Sequence, residues 1–179
     1  QYSPPLPTDP FEITLQWEGP SIDQILDKYL QALGGAQRVA GMTSIVGKGT
    51  FRAYDDFETS PMELYAKAPN QRSTVQHTDY GSITTTYDGR NAWVAAPDVI
   101  RPYPVVGLSG GNLEGAGVDA ALTFPGRIKQ ALSGWRVGPP TIIDDHDVRI
   151  IQGSAASGSP VKLYFDEMSG LLVRSVRYS

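Results

Sequence analysis

From Thr43 onward the chain abandons helical spacing. Apolar residues recur at every second position in short runs closed by turn residues. Ile45, Gly47, Gly49, Phe51 and Ala53 fall on one side of an extended segment, and Met62, Leu64, Ala66 and Ala68 on one side of the next. That alternation marks strands buried on one face only. Pro69-Asn70 turns the chain into Arg72 to Thr78, and Asp79-Tyr80-Gly81 into Ser82 to Tyr87. Asp88-Gly89 suits a tight type I′ hairpin, and the return strand carries Trp93 and Val94. Parallel neighbours need a crossover of about a dozen residues or more, and these connections are far shorter. The pattern therefore predicts an antiparallel meander, bent where Gly47 and Gly49 share a strand.

Ahead of the strands, Ser21-Ile-Asp-Gln24 forms a capping box, because the Ser hydroxyl and the Gln amide each satisfy a free backbone N–H. Ile22, Ile25, Leu26, Tyr29, Leu30 and Leu33 follow at helical spacing, and Gly34-Gly35 supplies a left-handed stop. The spacing predicts a helix over 22–33 whose single apolar stripe packs on the sheet. Residues 1–20 carry Pro4, Pro5, Pro7, Pro10 and Pro20, so they read as an extended arm, with 21–179 as one domain. Within the arm Phe11, Ile13, Leu15 and Trp17 alternate with polar residues, which suits an edge strand or contact with a partner chain.

Pro97 to Gly117 is rich in Pro and Gly and reads as a long loop: a lid, a binding loop or a disordered stretch. Short helices are expected around Asn112 to Leu122 and Pro125 to Leu132, the second opening on a first-turn Pro. Strands return near Trp135–Val137, Thr141–Ile143, Val148–Gln152, Val161–Phe165 and Leu171–Tyr178.

Together, Ile25-Leu-Asp-Lys-Tyr-Leu-Gln-Ala-Leu-Gly-Gly35, Tyr65-Ala-Lys-Ala-Pro-Asn70, Tyr87-Asp-Gly-Arg-Asn-Ala-Trp93, Lys162-Leu-Tyr-Phe-Asp166 and Gly170-Leu-Leu-Val-Arg174 resemble the LolA/LolB-like lipoprotein-carrier superfamily. More closely, they look like the non-haem domain of the bacterial photosynthetic reaction-centre cytochrome c subunit family. The resemblance implies an α+β fold: a curved antiparallel sheet, an incomplete β-barrel, with helices covering its concave face. It also implies that an acyl chain or lipid enters whatever space the interior leaves open.

The chain has no Cys, which removes thiol nucleophiles, zinc ribbons, iron–sulfur clusters and covalent haem, whatever the family name suggests. Fifteen basic against nineteen acidic residues, without a basic run, give no phosphate-backbone footprint, so nucleic acid is not expected. No apolar run approaches the roughly 20 residues of a membrane span. A start at Gln1 with no charged-then-apolar leader suits a mature exported protein or an excised domain. With few charges and much Gly, Ser, Thr and Tyr, it reads as an extracytoplasmic bacterial protein, periplasmic or at the cell surface.

Two histidines are the available general bases. His77 shares a strand face with Ser73 and Val75 and reads as a packed or surface side chain. His146 lies in Asp144-Asp-His-Asp147, where a polar hairpin turn competes with a hard-cation site that lacks the spacing of an EF-hand. Gly107-Leu-Ser-Gly-Gly111 has neither the Lys of a phosphate loop nor a strand before it, and reads as a flexible loop. No catalytic residue, metal ligand or cofactor is expected. The expected ligand-binding residues are Phe51, Met62, Leu64, Val75, Ile83 and Trp93, pointing together into the concave side, with Phe11 and Trp17 as partner-binding residues. The reading is a non-enzymatic module for an apolar ligand or a lipidated protein. Its alternative is an accessory subunit of a membrane-associated, electron-transfer-type complex, docked through the arm.

Overall fold

The computed structural model describes residues 19–53, 58–97 and 102–178, together with Pro5. Phe11, Trp17 and the expected strand between them lie outside the described residues. The helices are α1 (Ile22–Ala32), α2 (Ala36–Ala40), α3 (Gly110–Leu122) and α4 (Ile128–Ala131), the last preceded by a 3-10 turn at Pro125–Arg127. The first strands are β1 (Ser44–Phe51), β2 (Ser60–Lys67), β3 (Gln71–Thr78), β4 (Gly81–Tyr87), β5 (Ala92–Ala95) and β6 (Val105–Gly107). Then come β7 (Ser133–Val137), β8 (Thr141–Ile143), β9 (His146–Ser154), β10 (Pro160–Asp166) and β11 (Leu172–Arg177). The fold class is α+β with open antiparallel sheets. The chain divides into a terminal unit, residues 1–40 with 125–179, and a central unit, residues 41–124.

In the terminal unit, α1 begins as its capping box requires. The Gln24 backbone N–H donates to Ser21 Oγ at 3.2 Å, and the Ser21 N–H to Gln24 Oε1 at 2.7 Å. It ends on Leu33, with Gly34 and Gly35 at φ 100° and 97°. Their N–H groups reach back to the carbonyls of Gln31 and Leu30, the pair of bonds that defines a Schellman stop. Ile25, Leu26, Tyr29 and Leu30 are buried, and the Tyr29 ring meets Phe165 of β10 edge-on, centroids 5.3 Å apart. The sheet runs β11-β10-β9-β7, with β8 paired to the other half of β9. Pro139-Pro140 separates β7 from β8, since proline cannot donate to a ladder. Strands β9 and β10 are buried on both faces: Val161, Leu163 and Phe165 on one, Tyr164 with Val148 and Ile150 on the other.

The central unit is a pure meander, β1 to β6 in chain order, with α3 against β3 and β4. The strands therefore form two sheets instead of one continuous meander, because residues between β6 and β7 are largely helical. Three local expectations also change. Part of the expected loop 97–117 is β6 and the first half of α3, in which Gly117 allows a close approach: a Cβ there would stand 3.3 Å from the Tyr87 hydroxyl. The Asp88-Gly89 connection is a four-residue loop in which the Asp88 carboxylate accepts from the N–H groups of Arg90 and Asn91 at 2.8 and 2.7 Å. The two-residue turn with both central residues at positive φ is instead Asp144-Asp145, at 49° and 64°, closing Ile143 onto His146.

Candidate functional site

Directly opposed residues of antiparallel neighbours share a face, so the registers sort every side chain of the central sheet. One cross-strand row is Gly49–Met62–Gln76–Ile83, and the next is Gly47–Leu64–Thr74–Thr85–Val94–Val106. A third on the same face is Ile45–Ala66–Arg72–Tyr87–Ala92, and Phe51 continues the face at the far end of β1. The structure thus brings Phe51, Met62, Leu64 and Ile83 together. It does not bring Val75 and Trp93 with them. Val75 is opposed by Glu63 and Thr84, and Trp93 by Thr86 and Gly107, so both lie on the opposite face. The cause is parity across the turns: Lys67 pairs with Gln71, so even positions of β2 oppose even positions of β3. A one-residue difference in turn length would reverse every such assignment.

Packing along the shared face is uneven. Near α3, Ala66, Ala92 and Val94 are buried, as are Gly115, Val118 and Ala120 of the helix. Towards the other end Met62, Leu64 and Ile83 are only half-buried and Phe51 is 41% exposed. A Cβ built on Gly49 would meet nothing within 4 Å, whereas one on Gly47 would touch Leu64 at 3.5 Å. The face is therefore apolar along β1 and β2, interrupted by Thr74 and Gln76 of β3 before Ile83, with side chains packed at the α3 end and open space above Gly49.

The opposite face carries the groups that most resemble catalytic chemistry. His77 Nδ1 lies 3.2 Å from Ser82 Oγ across the β3–β4 hairpin, and its Nε2 lies 3.9 Å from Glu63. A working triad needs the carboxylate within hydrogen-bond reach of the imidazole, and 3.9 Å exceeds it. The Glu63 carboxylate is committed elsewhere, accepting from the Tyr65 hydroxyl at 2.6 Å. That bond, foremost, holds the Glu63 carboxyl below its ordinary range and pushes the Tyr65 phenol up. All three members sit on strands of an open sheet, and His77 itself is exposed among the described residues. In the terminal unit, His146 Nδ1 stands 3.2 Å from an Asp166 carboxylate that already accepts from the Ser169 N–H and hydroxyl, each at 2.6 Å. Asp144-Asp-His-Asp147 is thus a hairpin tip, and no group of three His, Asp or Glu able to hold a metal occurs among the described residues.

Two features escaped the periodicity. Arg72, a strand residue in a polar-looking run, stands on the apolar face. A groove of about 430 Å³ opens on the opposite face, lined by Val46, Tyr65, Lys67, Ser73 and Thr86, with the row Ile45–Ala66–Arg72–Tyr87 running between them. In the terminal unit Ile142, Met168, Leu171 and Val173 are 67%, 89%, 40% and 51% exposed. The last three line a second groove of about 480 Å³ beside His146 and Arg174. Alternation alone could mark Arg72 only as a position facing the same way as Thr74 and Gln76.

No protein-family model and no curated protein matches the chain. Among solved structures, a DUF1329 family protein from Desulfovibrio piger overlaps 90% of this chain and 75% of its own, at 12% identity and a TM-score of 0.49. A LolA superfamily protein from Nitrosomonas europaea overlaps 90% and 73%, at 16% identity and a TM-score of 0.48.

Proposed function

We propose that the protein is a non-enzymatic, extracytoplasmic binding module of LolA/LolB-like fold whose central sheet receives an apolar ligand, an acyl chain or the lipid of a lipidated protein. The supporting observation is the strip Phe51, Met62, Leu64 and Ile83, part-exposed beside open space at Gly49. Each methylene laid on such a surface and removed from water gains about 0.8 kcal/mol, which makes chain length the main determinant of affinity. Val75 and Trp93, on the other face, have no part in this site. No cofactor or metal enters the reading. No described helix is long and apolar enough to cross a membrane, so contact with one would come through the ligand, the partner or segments outside the described residues.

Native mass spectrometry of the gently isolated protein, followed by lipid analysis, tests the reading. A stoichiometric lipid mass on the monomer is expected. A bare protein that also fails to take up an added twelve-carbon amphiphile overturns it. The exposed Ile142, Met168, Leu171 and Val173 of the terminal unit favour a second reading, an accessory subunit of a membrane-associated complex, which a bare protein co-isolating with other subunits would support.

A further inference from the structure

In the terminal unit, the end of the sheet where the β8–β9 and β10–β11 hairpins turn carries an apolar knob beside a groove. Met168 is 89% exposed, yet the turn that presents it is pinned. The Asp166 carboxylate accepts from the Ser169 N–H and hydroxyl, and the Gly170 N–H returns to the Asp166 carbonyl at 2.9 Å. The Glu167 N–H donates to the Asp147 carbonyl at 2.8 Å, its carboxylate meets Arg149 Nε at 2.6 Å, and Lys28 Nζ donates to its carbonyl. A backbone already fixed adds little ordering cost when a partner covers what it presents. Beside Met168 runs the groove of about 480 Å³, with Ile143 on one wall and Leu171 and Val173 on the other. Val173 is the extra residue of a bulge, since Tyr164 pairs with Arg174 and Phe165 with Leu172, and bulges re-aim the side chains they carry. The same groove is rimmed by charges of opposite sign on opposite walls, Asp144 at the β8–β9 tip and Arg174 on β11. Both are exposed, and neither makes an ion pair among the described residues. Strands β9 and β10 lie between β8 and β11, so three inter-strand spacings, about 14 Å, keep the two charges apart within one chain.

We propose that this end of the terminal unit is a self-association surface whose occupant is the same end of a second copy of the chain, related by a two-fold axis. Rotation about the centre of the groove lays Arg174 of each copy over Asp144 of the other, and Met168 of each over the other's groove. The patch is complementary to itself in charge and in shape, which is what an isologous contact requires. A foreign partner would need that arrangement independently, whereas a second copy carries it by symmetry. Asp145 and Asp147 add negative charge to the same tip, which opposes an anionic lipid surface. The inference concerns the terminal unit alone and does not rest on the ligand reading of the central sheet. Its apolar centre is a handful of side chains, so the contact is small and the association weak, with a Kd between about 1 µM and 1 mM.

Sedimentation equilibrium of the full chain across that concentration range tests the proposal, and a reversible monomer–dimer equilibrium is expected. Arg174→Glu sets like charges against each other twice in the dimer and should weaken it about tenfold or more, as should Asp144→Lys. Mixed together, the two variants should form a heterodimer at close to wild-type affinity, because each rim position again faces its opposite charge. A general loss of structure would not give that rescue. Met168→Ser, at a position exposed in the monomer, should weaken the dimer about tenfold or more and leave the unfolding midpoint unchanged. Circular dichroism confirms that each variant folds. Asp144 sits at a φ of 49°, and if Asp144→Lys does not fold there, Arg174→Glu and Met168→Ser carry the test. A chain that stays monomeric to about 1 mM would overturn the proposal and leave the patch to another subunit. A dimer that Arg174→Glu and Met168→Ser leave intact, or folded charge variants that fail to rescue each other, would overturn this surface as its seat.

Discussion

Replacing Gly49 by Leu separates a ligand surface from an ordinary packed core. A Cβ at Gly49 has nothing within 4 Å, so the new side chain starts out in open space. Gly49 lies within β1 and shows no positive φ, so the backbone accepts a side chain without strain. Relieving the conformational freedom of a strand glycine adds about 0.5–1 kcal/mol to stability. The Leu side chain would take the place of roughly three methylenes of a bound chain, and at about 0.8 kcal/mol each the ligand loses ~2.4 kcal/mol, close to 50-fold in affinity. The assay pairs urea unfolding with displacement of a fluorescent twelve-carbon probe. The expected outcome is a protein at least as stable as wild type that binds the probe some 50-fold more weakly. A stable Gly49→Leu protein with undiminished probe affinity would refute the placement of the site. A strongly destabilised one would show that the space is filled in solution.

Three further outcomes follow from the packing. Gly153→Ala in β9 should cost about 1–2 kcal/mol in urea unfolding, because its Cβ would stand 2.7 Å from Leu132 Cβ and 3.1 Å from Trp135, an overpacking penalty larger than the strand gain. An unchanged unfolding midpoint would contradict that close approach. Ile151→Ala, at a position with 0% exposure, should cost about 2–5 kcal/mol, and a loss below this range would mean the terminal sheet collapses around the cavity. Asp166 is held below its ordinary carboxylate range, chiefly by the Ser169 hydroxyl and N–H. With its folded pKa depressed, the stability it contributes is fully present above the unfolded-state pKa and is lost as pH falls through the folded one. Asp166→Asn should therefore flatten the acid limb of stability against pH, whereas an unaltered limb would assign the acid sensitivity to other carboxylates.

Local chemistry in the sequence was enough to determine α1 and most of the strands. The capping box at Ser21, the stripe through Leu30 and the Gly34-Gly35 stop each act within a few residues, so the helix runs Ile22–Ala32 as its pattern requires. The alternation from Ile45 through Ala66 likewise reappears as β1 and β2 in antiparallel register. What a strand pattern cannot carry is the parity between strands, since turn geometry and long-range pairing decide which side of a neighbour each residue joins. That is why Phe51, Met62, Leu64 and Ile83 meet on one face while Val75 and Trp93, equally apolar, stand on the other. The glycines of 110–117 look like loop in isolation but lie in α3, which packs on β3 and β4 with Gly117 within touching distance of Tyr87. Arg72 is an ordinary strand residue by sequence. Only the tertiary fold places it beside buried Ala66 and leaves its Nε without an acceptor among the described residues, because burial depends on what the sheet brings over it.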